Sequence, residues 1–149
     1  MNSGMNVQTS ENDNYETPPW LFKALDTEFR FTFDVAADIN NHLCPMWTND
    51  IERTDIRNSE IVFCNPPYSN ITPFVAQLIA ARCLTVFLLP VRTGTSWFLA
   101  LDRLRHPHQA EFRFFRKRIH FLIDGREPIN PKTLKPSGPR FDSMIVMVR

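Results

Sequence analysis

Glycine is scarce in this 149-residue sequence, with four in all, at Gly4, Gly94, Gly125 and Gly138. Neither a G-x-G-x-x-G turn nor a G-x-x-x-x-G-K-[ST] loop can be built from them. Sequence support for a dinucleotide oxidoreductase or a P-loop NTPase is therefore missing. Cysteine is scarcer still. Cys44, Cys64 and Cys83 are odd in number and widely spaced, which suits neither a disulfide framework nor a C-x-x-C zinc site. Cys64 and Cys83 sit in apolar runs and read as buried thiols. His42, His106, His108 and His120 have no metal-like partners in sequence, and His106-Pro107-His108 reads as a polar loop, so no metal is expected. No apolar run approaches the ~18 residues of a membrane span, and no charged-then-apolar leader opens the chain. The expectation is a soluble cytoplasmic protein with no membrane attachment. Repeats and linkers are absent too, so the reading is one domain over residues 15–149 behind a loose polar tail at 1–14.

What is present is a globular composition with an uneven charge. The chain is 43% hydrophobic and 22% charged, enough apolar material for a core. Its net charge of +1 hides a split: residues 1–75 carry 4 Lys/Arg against 11 Asp/Glu, and residues 76–149 carry 13 against 5. A basic half of this kind attracts a polyanion through phosphate contacts and counterion release, unless the two halves mix in space.

Thr17-Pro18-Pro19 before Trp20-Leu21-Phe22 predicts a helix start, with threonine as cap and proline in the first turn; Leu21, Leu25 and Phe29 share one face. Phe31 to Val35 suits a strand, followed by a loop at Ala36-Ala37-Asp38. Residues 39–60 give few signals. Glu60 to Cys64 reads as a buried strand ended by Asn65-Pro66-Pro67, and Thr72-Pro73 as a second cap with a first-turn proline. Phe74, Val75, Leu78 and Ile79 form that helix's inner face. Leu84 to Leu89 is a strand stopped by Pro90, and Thr95 or Ser96 starts a third helix with Phe98, Leu101 and Leu104 inward. Strands are expected at 111–115 and 118–123, then a proline-rich loop at 124–142 and a closing strand at 143–148. Strands alternating with helices predict an α/β fold with a mostly parallel sheet and helices on its faces; the final run of strands predicts an antiparallel edge.

The sharpest motif is Asn65-Pro66-Pro67-Tyr68 directly after a buried strand. Open α/β sheets place their ligand crevice at the carboxyl ends of strands, where this tetrapeptide falls. An exocyclic amine such as adenine N6 is a poor nucleophile, because its lone pair is delocalised into the ring. Two fixed acceptors on its hydrogens favour a pyramidal nitrogen and stabilise the charge that develops as a methyl group arrives. The Asn65 side-chain oxygen supplies one, and the rigidly held Pro66 carbonyl the other. Tyr68 offers a flat face for a base taken out of the duplex. The plain alternative is a rigid turn, since Asn and Pro both favour turns.

The order of segments resembles the phage-type DNA N-6-adenine methyltransferases (Dam-like). It runs from Thr17-Pro18 with its helix through Phe33-Asp34-Val35-Ala36-Ala37 and Asn65-Pro66-Pro67-Tyr68-Ser69 to Leu89-Pro90. It continues with Thr93 to Phe98, Arg118-Ile119-His120-Phe121 and the closing apolar strand, covering roughly residues 15–148. The resemblance implies a Rossmann-like methyltransferase fold and transfer of a methyl group from S-adenosyl-L-methionine to N6 of adenine in double-stranded DNA, in a bacterial host if phage-encoded. It implies Asn65, Pro66, Pro67 and Tyr68 as catalytic, and Thr17, Pro18, Asp34, Ala36 and Ala37 as cofactor-binding. Asp38, Asp50 and Asp55 compete to hold the cofactor's adenosine, with Asp50 the candidate chosen. The chain departs from many methyltransferases in having no glycine-rich turn after the first strand.

For DNA, the candidates are Arg113, Arg116 and Lys117, clustered between two predicted strands, and Arg126 and Lys132 in the long loop; the alternative is a solvated turn for the first three and a disordered segment for the loop. Other readings of the whole are a methyltransferase of another planar amine, such as protein glutamine or RNA guanine, and a non-catalytic nucleic-acid-binding protein with this fold. The target sequence, the oligomeric state and any restriction partner are not written in the residues.

Overall fold

Three apolar runs, at 61–64, 84–90 and 143–148, supply the centre of a six-stranded sheet. The structure, a computed structural model, describes residues 13–106, 108–137, 139 and 141–149. Helix α1 (Pro19–Phe29) leads to β1 (Phe33–Asp34) and β2 (Met46–Trp47), with a 3-10 turn at Ile51–Arg53. Then come β3 (Ile61–Cys64), α2 (Thr72–Ala81), β4 (Leu84–Pro90) and α3 (Ser96–Asp102) with a 3-10 extension at Arg103–Arg105. Strands β5 (Ala110–Phe114) and β6 (Ser143–Val148) close the chain. The sheet order is β2-β1-β3-β4-β6-β5. Strands β2, β1, β3 and β4 run parallel, and β6 is antiparallel to both its neighbours. This is a Rossmann-like doubly wound sheet: β2 lies on one side of β1 and β3 on the other, so the strand order reverses between β1 and β3.

Register assigns the helices to opposite faces. Phe63 on β3 packs against Phe22 of α1 and against Phe31. Its partners in register are Val86, then Met147, then Glu111 on β5, and register partners point to the same side. Arg113, two residues on, therefore shares the α1 face, and its guanidinium does reach Glu28 of α1. Phe112 points the other way and meets Phe98 of α3. Helices α2 and α3 contact each other and so cover that second face. All six residues of β6 are buried, a run that needs cover on both faces, and it takes an interior place; β5, largely exposed, takes the edge.

Several details differ from the sequence expectations. Residues 118–121 alternate polar and apolar as a strand would, and Ile119 and Phe121 are buried, but the segment joins no strand of the sheet: it makes two isolated bridges, Leu122 with Glu16 and Ile123 with Arg126. Thr17 does not cap α1: the cap position is Pro18 and no side chain caps the helix. Thr72 likewise lies inside α2, behind Ile71, whereas Thr95 does cap α3 by accepting from the Phe98 N–H at 3.3 Å. Trp97, absent from the expected inner face of α3, is buried. With glycine so scarce, α1 and α2 end on arginines in the left-handed region, Arg30 (φ 58) and Arg82 (φ 55). Of the proposed tail, residues 1–12 lie outside the described residues. Asp13 is anchored: its carboxylate accepts from Ser69 N–H (3.1 Å) and Ser69 Oγ (2.6 Å).

Candidate active site

The reversal of strand order opens a cavity of about 480 Å³ at the carboxyl ends of β1 and β3. Asp34 and Ala36 line it from β1, Phe63 and Asn65 from β3, and Tyr15, Glu16 and Thr17 from the segment before α1. The loop at 40–43 and the turn at Asp124-Gly125 complete the wall.

Asn65 leaves β3 with its side chain held from one side. Its Nδ2 donates to the Tyr15 carbonyl (3.2 Å) and to Thr17 Oγ1 (3.1 Å). Its Oδ1 is buried and accepts no hydrogen bond. A buried acceptor without a donor is unfavourable by about 1–3 kcal/mol, and this one belongs to a residue that lines the cavity. After Asn65, the Pro67 carbonyl accepts from Asn70 N–H (2.9 Å), while no backbone N–H of the described residues donates to the Pro66 carbonyl. Arg92 Nη1 donates to the Tyr68 carbonyl (3.2 Å) and ties down the far end of the tetrapeptide. Tyr68 itself does not line the cavity. Its hydroxyl donates to the Leu88 carbonyl (3.3 Å), and its ring packs against Tyr15, Phe121 and Phe141 at centroid distances of 5.5–6.3 Å. Burial pushes its phenol well above the usual range, so it stays neutral. Stacking a base on Tyr68 requires one of those neighbouring rings to move.

Asp34 is 3% exposed and organises the loop beyond β1. One carboxylate oxygen accepts from Leu43 N–H (3.0 Å) and the other from Ala36 N–H (3.4 Å). Burial raises its pKa above the ordinary value, against the lowering effects of those two N–H groups and of His42. This wiring stands where many methyltransferases carry a glycine-rich turn. Glu16 fastens the opposite wall, accepting from Gly125 N–H at 2.8 Å, with Gly125 at φ 78.

Of the cofactor candidates, Thr17, Asp34 and Ala36 thus meet Asn65 on one cavity, and three do not. Pro18 is buried as the α1 cap residue, and Ala37 turns away, its N–H donating to the Thr48 carbonyl. Asp50 is corrected: it caps the 3-10 turn through Arg53 N–H (3.3 Å), pairs with the Arg53 side chain (3.8 Å) and is absent from the wall. Tyr15, Glu16, the 40–43 loop and Asp124-Gly125 were missed. Only the Asp-Gly dipeptide carried a signal, as a turn; the others are ordinary polar residues until the fold gathers them.

The basic residues sort in a similar way. Arg113 forks onto Glu28 with two 2.8 Å bonds, reaches Glu111 at 3.0 Å and lies over the Phe29 ring, so three of its five N–H donors are engaged with two carboxylates of the fold. Its charge is thereby compensated within the fold, which weighs against a phosphate contact. Arg116, Lys117, Arg126 and Lys132 are exposed and make no ion pair among the described residues. Two successive antiparallel pairings make β5 run in the direction of β4, so the turn holding Arg116 and Lys117 lies at the same sheet edge as Asn65. The 124–142 loop feeds β6 from that edge as well. Residues 115–142 carry seven Lys/Arg against three Asp/Glu.

A Rossmann-like sheet, with Asn-Pro-Pro-Tyr at a strand end beside a cavity on the switch point, defines the amine-methyltransferase class. Within it, the family model for DNA N-6-adenine-methyltransferase (Dam) matches residues 4–149, and the chain belongs to that family. It is 32% identical over 101 residues to the "DNA N-6-adenine-methyltransferase" of Haemophilus phage HP1 (strain HP1c1). That match covers 62% of this chain and 58% of the phage protein, so the chain spans less than two thirds of that relative. A solved structure described as "a putative methyltransferase from Thermoplasma acidophilum" aligns over 90% of this chain and 55% of its own, at 17% identity and a TM-score of 0.39. That likeness adds nothing to the strand order itself. Among the described residues no helix is long and apolar enough to cross a membrane.

Proposed function

We propose that this protein transfers a methyl group from S-adenosyl-L-methionine to N6 of adenine in double-stranded DNA. The observation that carries the reading is the buried, unpartnered Oδ1 of Asn65, a residue of the cavity wall within Asn-Pro-Pro-Tyr. The cavity suits a cationic, polar methyl donor, since the carboxylates of Asp34 and Glu16 and the polar Asn40 and Asn41 line it. When bound, the donor supplies an electrophilic methyl carbon on a positively charged sulfur. Asn65 Oδ1 and the Pro66 carbonyl accept the two N6 hydrogens and direct the nitrogen lone pair at that carbon. The N–C bond forms as the S–C bond breaks, and one N6 proton departs afterwards to solvent. No general base is required before attack, because the leaving group is a neutral thioether. Tyr68 supplies a stacking face for the base only once one of the rings packed on it, Tyr15, Phe121 or Phe141, moves aside.

Arg116, Lys117, Arg126 and Lys132 hold the DNA backbone in this reading, supported by their exposure, their lack of ion pairs and the shared sheet edge. A host-cell cytoplasm fits the phage relative. The test is tritiated methyl transfer to unmethylated DNA, RNA and protein side by side, followed by digestion of the DNA with enzymes sensitive to adenine methylation. Label confined to DNA and altered digestion are expected. Label on RNA or protein alone, or none on any, refutes the reading.

A further inference from the structure

We infer that Thr17 is a positioning residue that holds the Asn65 amide in the orientation the Tyr15 carbonyl selects, an inference that rests on the proposed amine chemistry. A side-chain amide has an acceptor end and a donor end, and only the acceptor end serves a nucleophilic amine. The surroundings of Asn65 decide the matter by chemistry. The Tyr15 carbonyl is an acceptor only, so the group 3.2 Å from it must be the NH₂. Thr17 Oγ1, at 3.1 Å, takes the second proton of the same nitrogen. With both Nδ2 protons engaged, Oδ1 is turned away from the strap at 15–17, where it is buried and free of any donor. A flipped amide would set oxygen against the Tyr15 carbonyl oxygen and present N–H groups to an incoming N–H.

Thr17 is diverted to this task. It stands one residue before the cap position of α1, which Pro18 fills, and its hydroxyl does not cap that helix. Its hydroxyl is buried with the residue and bonded to a side chain 48 positions away. The strap is fixed independently of Asn65 by the paired bonds between Glu16 and Leu122 (2.7 and 3.0 Å) and by Glu16 on Gly125 N–H. The hydroxyl is thus a rigid reference for the amide.

The experiment compares Thr17→Val, which keeps the shape and loses the hydroxyl, with Thr17→Ser, which keeps the hydroxyl. At saturating donor and DNA, Thr17→Val is expected to lower kcat by roughly ten- to a hundredfold, below the ~10²–10³ typical of deleting the acceptor itself. Thr17→Ser is expected to stay within about threefold of wild type. The second readout needs no turnover. The Asn65 side-chain NH₂ signal in ¹⁵N NMR, assigned by its absence from Asn65→Ala, should exchange slowly in wild type and Thr17→Ser and fast in Thr17→Val. Unchanged kcat in Thr17→Val, a loss confined to KM for the methyl donor, or an Asn65 NH₂ that exchanges alike in all three proteins overturns the inference. If wild type methylates nothing, the proposed function fails, and the exchange arm still decides whether Thr17 orients the amide.

Discussion

Replacing Asp34 with alanine tests how a chain without a glycine-rich turn builds its cofactor loop. The side chain is 3% exposed and makes two bonds to the loop, a full-strength one to Leu43 N–H at 3.0 Å and a marginal one to Ala36 N–H at 3.4 Å. A hydrogen bond to a charged group contributes about 1.5–3 kcal/mol, so the closer bond alone supplies roughly that much order to residues 36–43. Each 1.4 kcal/mol is about tenfold, so affinity for S-adenosyl-L-methionine should fall by up to about ten- to a hundredfold, and affinity for DNA by much less. Calorimetric titration with the donor reads the first quantity, and hydrogen exchange at the Leu43 and Ala36 amides reads loop order directly. The pH dependence carries its own sign. Burial raises the folded pKa of Asp34, so the proton-linked part of its contribution to stability is complete below the unfolded carboxylate range, near pH 4, and is lost as pH rises through the raised value, while the bonds to Leu43 and Ala36 remain. The stability gap between wild type and Asp34→Ala should therefore be widest in acid and narrow toward neutrality. A folded Asp34→Ala protein with wild-type donor affinity and unchanged Leu43 exchange would refute the reasoning and leave Asp34 an ordinary turn residue.

Asn65→Ala should lower methyl transfer by ~10²–10³ while donor binding survives. Asn65→Asp should be similarly impaired although it keeps an acceptor, because a carboxylate sets oxygen against the Tyr15 carbonyl; near-wild-type turnover in the aspartate variant would contradict this. Arg113→Ala should leave the salt dependence of DNA binding unchanged and reduce stability by no more than about 1 kcal/mol, since its pairs are over 40% exposed, whereas Arg116→Ala with Lys117→Ala should flatten the salt slope. The Glu28–Arg113 share of that stability is present above the unfolded carboxylate pKa and lost as pH falls through the lowered folded value, so acid melts should erase the Arg113→Ala difference. Arg82→Gly should raise stability by about 1 kcal/mol in thermal melts by removing a left-handed arginine at φ 55 from the end of α2; no change would mean that the arginine compensates elsewhere.

The sequence by itself determined the features that depend on neighbours along the chain. The apolar runs at 61–64, 84–90 and 143–148, the first-turn prolines of α1 and α2, the Thr95 cap of α3, and the rarity of Asn-Pro-Pro-Tyr after a strand are all local, and they point to an α/β sheet with its chemistry at a strand end. Only the tertiary structure decided matters of distance. Residues 118–121 have a strand's alternation, but the segment joins no strand of the sheet and makes isolated bridges to Glu16 and Arg126 instead. Asp50 and Asp34 are alike in sequence as acids near short strands. One turns into the Arg53 cap, and the other is buried beneath a loop whose N–H groups hold it. Arg113 and Arg116 stand three residues apart, yet strand alternation and the face covered by α1 tie the first to Glu28, while the second lies in the turn beyond. The amide of Asn65 is the sharpest case. Its chemistry is written at position 65, but which end is left unpaired is set by a carbonyl at 15, with a hydroxyl at 17 holding the other end, both brought alongside when the strap pairs with residue 122.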